Sequence, residues 1–188
     1  MIPVPEAVRA ELARRYGAEP ARLRPFAGGR EENDGVLYAY PHGAGKRAAE
    51  RLLKIMAFPA ADRARGLFVL GERARFMRFL GDRGAQVACP VPAPDGALYA
   101  TLDADAQVWV AYSMEVAPGR TVPWDTWDPA LFTAWGQAVG RLHRLARDYP
   151  SWDASVDPAT GARYLTWNEE WQGFLDMGME DAVAERWL

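Results

Sequence analysis

Cysteine is nearly absent: Cys89 is the one thiol among 188 residues, so no disulfide can staple the fold and no thiolate cluster can hold zinc. Histidine is almost as scarce, and His42 and His143 lie far apart, which leaves a metal-dependent mechanism few ligands. Lysine is the third rarity. Of 22 cationic side chains only Lys46 and Lys54 are lysines, the others being arginine, so the position of each lysine is worth following. No apolar run approaches the roughly 20 residues that a membrane helix needs, and no membrane partner is expected. The opening Met1-Ile2-Pro3-Val4-Pro5-Glu6 has neither a basic leader nor an apolar core of signal-peptide length, so the expected address is cytoplasmic.

What is present is a globular composition, with 49% hydrophobic, 12% aromatic and 25% charged residues and a formal net charge of -3. Disorder and fibre are excluded. The charge is divided unevenly: residues 1–90 carry 16 Lys and Arg against 10 Asp and Glu, and residues 91–188 carry 6 against 15. An anion such as a nucleotide phosphate suits the first half and a cationic small molecule the second, although charge scattered on solvated faces gives the same split. Arginines spread over helices and loops, under a negative total, argue against nucleic acid as a partner.

Val8, Leu12 and Tyr16 recur every four residues between Pro5 and Gly17, which predicts a short helix. From Leu23 to Ile55 the pattern changes to period two, with Leu23 to Phe26, Val36 to Tyr40 and Arg51 to Met56 as short runs parted by Gly28-Gly29 and Pro41-His42-Gly43-Ala44-Gly45, and predicts an antiparallel meander. Asp62 to Leu80 reads as a longer helix. Two further strands are expected at Ala97 to Leu102 and Gln107 to Met114, after the Asp95-Gly96 turn. Asp128 as N-cap and Pro129 at the first helical position open a helix carrying Leu131, Trp135, Val139, Leu142 and Leu145. Gly136 and Gly140, four apart on it, are expected to admit a close neighbour, and His143 to pack one turn after Val139. Trp167, Trp171, Phe174 and Leu175 mark another helix. The last residues, Asp181 to Leu188, form a helical pattern without a stop signal, as though the chain ended inside an element.

Lysine is costly to bury unless a counter-charge offsets its desolvation. Lys54 lies in Leu52-Leu53-Lys54-Ile55-Met56, where alternation turns it to the face opposite Leu53 and Ile55. A solvent-facing lysine on an amphipathic strand has the same pattern. The candidate anion is Glu72, eighteen residues on, with Phe68 one turn before it and Phe76 one turn after, a setting that turns a carboxylate toward the fold. A strand lysine, a glutamate on the next helix and an upstream glycine hairpin form the arrangement by which protein kinases hold ATP phosphates. Here the hairpin is Gly28-Gly29-Arg30-Glu31-Glu32-Asn33, whose glycines let backbone amides approach phosphate oxygens.

In this order of features the sequence resembles the aminoglycoside phosphotransferase and choline kinase-like family. Val91-Pro92 after the helix, the hinge-like Tyr112-Ser113-Met114-Glu115-Val116-Ala117-Pro118-Gly119, and Gly140-Arg141-Leu142-His143 agree with it. The resemblance implies an α+β, protein kinase-like N-lobe with a five-stranded antiparallel sheet and one helix, followed by the first helices of an α-helical C-lobe. The N-lobe with its leading helix would be residues 1–116, and the hinge exit with an incomplete C-lobe residues 117–188. It further implies ATP or GTP as cofactor, with Mg²⁺ in the complete enzyme, and a small-molecule hydroxyl as acceptor, for which the acidic second half suits a cationic compound. Lys54 would contact the α- and β-phosphates, and Glu72 would keep that lysine charged and oriented. Gly28, Gly29 and Asn33 would cover the phosphates, the backbone of Glu115, Val116 and Ala117 would read the adenine edge, and Met114 would back the pocket.

The family's His-Gly-Asp stretch with its later Asn, and its metal-binding aspartate motif, occur nowhere in these 188 residues. Positioning by such groups supplies most of the rate in phosphoryl transfer. The chain is therefore expected to hold no catalytic residue of its own and to represent the nucleotide-binding half of a longer small-molecule kinase. The alternative is a non-catalytic kinase-like module that serves as nucleotide sensor or scaffold.

Overall fold

The computed structural model describes residues 3–26, 35–43, 49–117, 119 and 122–150. Among these residues three α-helices, α1 (Glu6–Arg15), α2 (Arg63–Asp82) and α3 (Pro129–Ala146), accompany six strands: β1 (Arg24–Pro25), β2 (Gly35–His42), β3 (Ala49–Pro59), β4 (Pro90–Val91), β5 (Ala100–Ala104) and β6 (Gln107–Glu115). All strand pairs are antiparallel, in the order β1-β2-β3-β6-β4, with β5 pairing the first part of β6 and β4 its end. The fold is the mixed α+β arrangement expected of a kinase-like N-lobe. Its sheet has one strand more than expected because the two-residue β4, built on a proline, is made by its pairing with Met114 and Ser113 rather than by any local pattern.

The helix ends follow from backbone chemistry. At the end of α1, Ala18 donates to the Ala13 carbonyl at 3.0 Å and Gly17 to that of Arg14 at 2.9 Å, with Gly17 at φ +67°. At the end of α2, Ala85 donates to Leu80 at 3.0 Å and Gly84 to Gly81 at 2.8 Å, with Gly84 at φ +73°. Both are Schellman closures, which satisfy the last carbonyls and need a residue at ease with positive φ. The second carries α2 to Asp82, two residues past the expected end. Asp128 caps α3 as read, accepting from the Leu131 amide at 2.7 Å.

Period two sorts the sheet residues onto two faces. On one face Leu53, Ile55, Tyr38, Tyr40, Trp109 and Ala111 pack against Val8, Leu12, Ala13 and Tyr16 of α1 and its exit. On the other, Val108, Val110, Met56, Phe58 and Tyr112 meet Leu67 and Leu70 of α2. Strand β6 is buried on both sides, which explains its nearly continuous apolar run. At Gly81 of α2 an added Cβ would lie 1.9 Å from Cys89 Sγ, so glycine there lets the chain after α2 return close to the helix.

One expectation about α3 is corrected. His143 lies on an exposed part of the helix rather than in its packing. Among the described residues nothing comes within 4 Å of a Cβ at Gly136 or Gly140. The helix expected around Trp167 and Trp171, and the acidic stretch beyond, lie outside the described residues.

Candidate functional site

Lys54 occupies the middle of β3, opposite Leu37 of β2 and Tyr112 of β6. Its two-residue phase with Met56 and Phe58 puts it on the face that α2 covers, and it is half-buried there. Its stem leans over the start of β2: a Cβ at Gly35 would lie 3.0 Å from Lys54 Cε and 2.7 Å from the Ile55 carbonyl oxygen. Glycine at 35 therefore gives the lysine its course.

Glu72 sits one turn beyond Phe68 on α2 and is 8% exposed, one of two buried polar residues among those described. A carboxylate this far from water needs partners, since its burial otherwise costs several kcal/mol. Its Oε1 accepts from Arg75 Nε at 2.9 Å and also from Arg75 Nη2. Its Oε2 lies 3.4 Å from the Tyr149 hydroxyl, which donates to it. Partial burial would lower the ionisation of Arg75, yet its hydrogen bond to Glu72, the Glu72 charge and Tyr149 hold it above the ordinary range, so the guanidinium stays charged.

Met114 shares the phase of Tyr112 and lies on the α2 face at the end of β6, paired with Leu52 and Pro90. Glu115 is exposed and pairs with Arg51, and Val116 and Ala117 follow as the chain leaves the sheet. Burial pushes the Tyr112 phenol up, with Arg73 opposing. One side of the sheet thus carries Lys54, Met114 and, on the covering helix, Glu72. Gly28, Gly29 and Asn33 belong to the segment between β1 and β2 and lie outside the described residues.

Sequence reasoning missed two partners of Glu72, Arg75 and Tyr149. Arg75 could have been found, since it stands three residues on along a helix, a spacing that favours ion pairs. Tyr149 could not, because 77 residues separate it from Glu72 and no local periodicity links them.

No family model matches the chain. Among solved structures it is similar to the amicoumacin kinase hAmiN, determined in complex with AMP-PNP, Ca2+ and Ami, with a TM-score of 0.65 and 25% identity over 92% of this chain and 47% of that one. An uncharacterized protein of Deinococcus radiodurans is 40% identical over 78 residues, which make up 41% of this chain and 22% of that protein. The chain therefore spans less than half the length of either. The likeness to the kinase gives the chain a kinase-like fold; no helix among the described residues is long and apolar enough to cross a membrane.

Proposed function

We propose that this chain is the nucleotide-binding part of an ATP-dependent phosphotransferase of the aminoglycoside phosphotransferase type, acting on a hydroxyl of a small molecule. The observation that supports the reading is that Lys54 lies on the sheet face covered by α2 while the buried Glu72 belongs to that helix; a strand lysine and a helix glutamate are the pair with which kinases hold nucleotide phosphates. The structural likeness to a kinase solved with AMP-PNP supports it.

In this reading the Lys54 ammonium contacts the α- and β-phosphates of ATP or GTP, in a partly desolvated place where a charge-assisted contact is worth more than in water. Glu72 keeps the ammonium charged and oriented. Gly28, Gly29 and Asn33 close over the phosphates, the backbone of Glu115 to Ala117 meets the adenine edge, and Met114 backs the ring. Mg²⁺ belongs to the complete reaction. Among the described residues no group of three or more His, Cys, Asp or Glu side chains could hold a metal ion. No His-Gly-Asp stretch is present to orient an acceptor hydroxyl, so residues 1–188 by themselves transfer no phosphate. The acceptor remains a small hydroxyl compound, with a cationic one favoured by the acidic second half.

The test is a thermal shift with MgATP. Binding to the folded state alone stabilises by about 2.7 kcal/mol at a hundredfold excess over Kd. The full chain should show that shift and the Lys54→Ala variant should lose most of it while melting, without nucleotide, near the wild-type temperature. An equal shift in both proteins removes Lys54 from the site.

A further inference from the structure

The chain leaving α3 turns back onto α2 at one residue. Tyr149 donates its amide to the Ala146 carbonyl at 3.0 Å, which fixes it in the turn after α3. Its ring stands edge-on to two α2 rings, with centroids 5.1 Å from Phe76 at 62° and 5.1 Å from Phe79 at 69°. The Arg83 guanidinium lies 3.6 Å over the Phe79 ring and extends the stack to the end of the helix. The hydroxyl then reaches Glu72 Oε2 at 3.4 Å, while Arg75 engages Oε1.

Each part has a distinct physical effect. Edge-to-face ring pairs fix the height and rotation of a helix beyond what area burial alone does. A donor on one carboxylate oxygen and a guanidinium on the other fix the plane of the carboxylate. Together they decide where Glu72 stands relative to the sheet, and the deciding residue belongs to the helical part of the chain rather than to the sheet.

We infer that Tyr149 is a positioning residue of the nucleotide site, holding the Glu72 carboxylate and the α2 helix in register with β3 from the turn that follows α3. The inference rests on the reading of Lys54 and Glu72 as the phosphate-side pair. It assigns to the helical half of the chain a direct hold on the nucleotide-binding half. Tyr149 touches neither nucleotide nor acceptor in this assignment and acts through Glu72.

The test is a set of titrations of the full chain with a fluorescent ATP analogue and Mg²⁺, using Lys54→Ala, Glu72→Gln, Tyr149→Phe, Tyr149→Leu and the Glu72→Gln/Tyr149→Phe double variant. Tyr149→Phe keeps both ring contacts and removes only the hydroxyl, so it should melt within about 2 °C of wild type and bind the analogue about three- to tenfold more weakly. In the Glu72→Gln background the same change should cost no further affinity, because residues that act through one another are not additive. Tyr149→Leu should lose affinity and also melt lower. If Lys54→Ala and Glu72→Gln leave affinity unchanged, the phosphate-side pair fails and this inference with it. If they weaken binding while Tyr149→Phe is neutral, or if its effect adds in full to that of Glu72→Gln, the pair stands and the role of Tyr149 is overturned.

Discussion

The two faces of the one sheet are finished differently. On the α1 face Leu12, Leu53 and Ile55 are fully buried, and two of the polar groups there are hydrogen-bonded internally, while the buried Trp109 Nε1 finds no partner among the described residues. Tyr16 donates to the Ala111 carbonyl at 3.0 Å, and Tyr40 and Ser113 share a 2.7 Å hydrogen bond. On the α2 face only Leu70, Val108 and Val110 form a buried cluster, while Met56, Phe58, Tyr99 and Tyr112 are half-buried around it. Lys54 lies on this second face, and the buried carboxylate of Glu72 is on the helix that covers it. The α1 face is filled largely by apolar side chains, whereas the α2 face carries a half-buried lysine beside a glycine, and the proposed nucleotide site belongs to this second face.

Substitutions that affect one face and spare the other break this comparison most sharply. Leu53→Ala, at a fully buried position on the α1 face, should cost about 2–5 kcal/mol in urea unfolding, yet leave the nucleotide affinity of the folded fraction near wild type. A parallel loss of affinity would mean that the faces are not separable. Gly35→Ala should cost less, about 1–3 kcal/mol from overpacking, because the new Cβ meets the Ile55 carbonyl and the Lys54 stem. It should nevertheless weaken ATP binding severalfold by displacing the lysine, an outcome that unaltered affinity in an isothermal titration would contradict. The smallest effect belongs to Tyr16. Burial, then the neighbouring Tyr40, raises its phenol above the ordinary value of 10.0. The folded state therefore favours the protonated form, so the contribution is complete below the unfolded value and is lost as pH rises above it. Chemical denaturation should find stability falling above about pH 10, and a Tyr16→Phe variant should show a shallower fall.

Much of this was readable because alternation and helical spacing are local. The phase of Lys54 against Leu53 and Ile55, the burial of Glu72 between Phe68 and Phe76, and the Asp128-Pro129 start of α3 all follow from residues within one or two turns of each other. What escaped depends on contacts made by folding. Strand β5 begins at Ala100 rather than Ala97, because the Ala97 amide is taken by the Asp95 side chain in the preceding turn. Strand β4 exists only as a partner of β6. His143 is exposed because packing selects one side of α3, and periodicity cannot say which residues near its margin are covered. The Tyr149 contact joins segments 77 residues apart and leaves no trace in either.

The most direct measurement of the central claim compares ATP with adenosine on wild type and Lys54→Ala. If the Lys54 ammonium holds the phosphates, wild type should prefer ATP over adenosine by at least about tenfold, or roughly 1.4 kcal/mol, and Lys54→Ala should lose most of that preference while binding adenosine as before. A preference that survives intact in Lys54→Ala, or a loss shared equally by adenosine, would contradict the account.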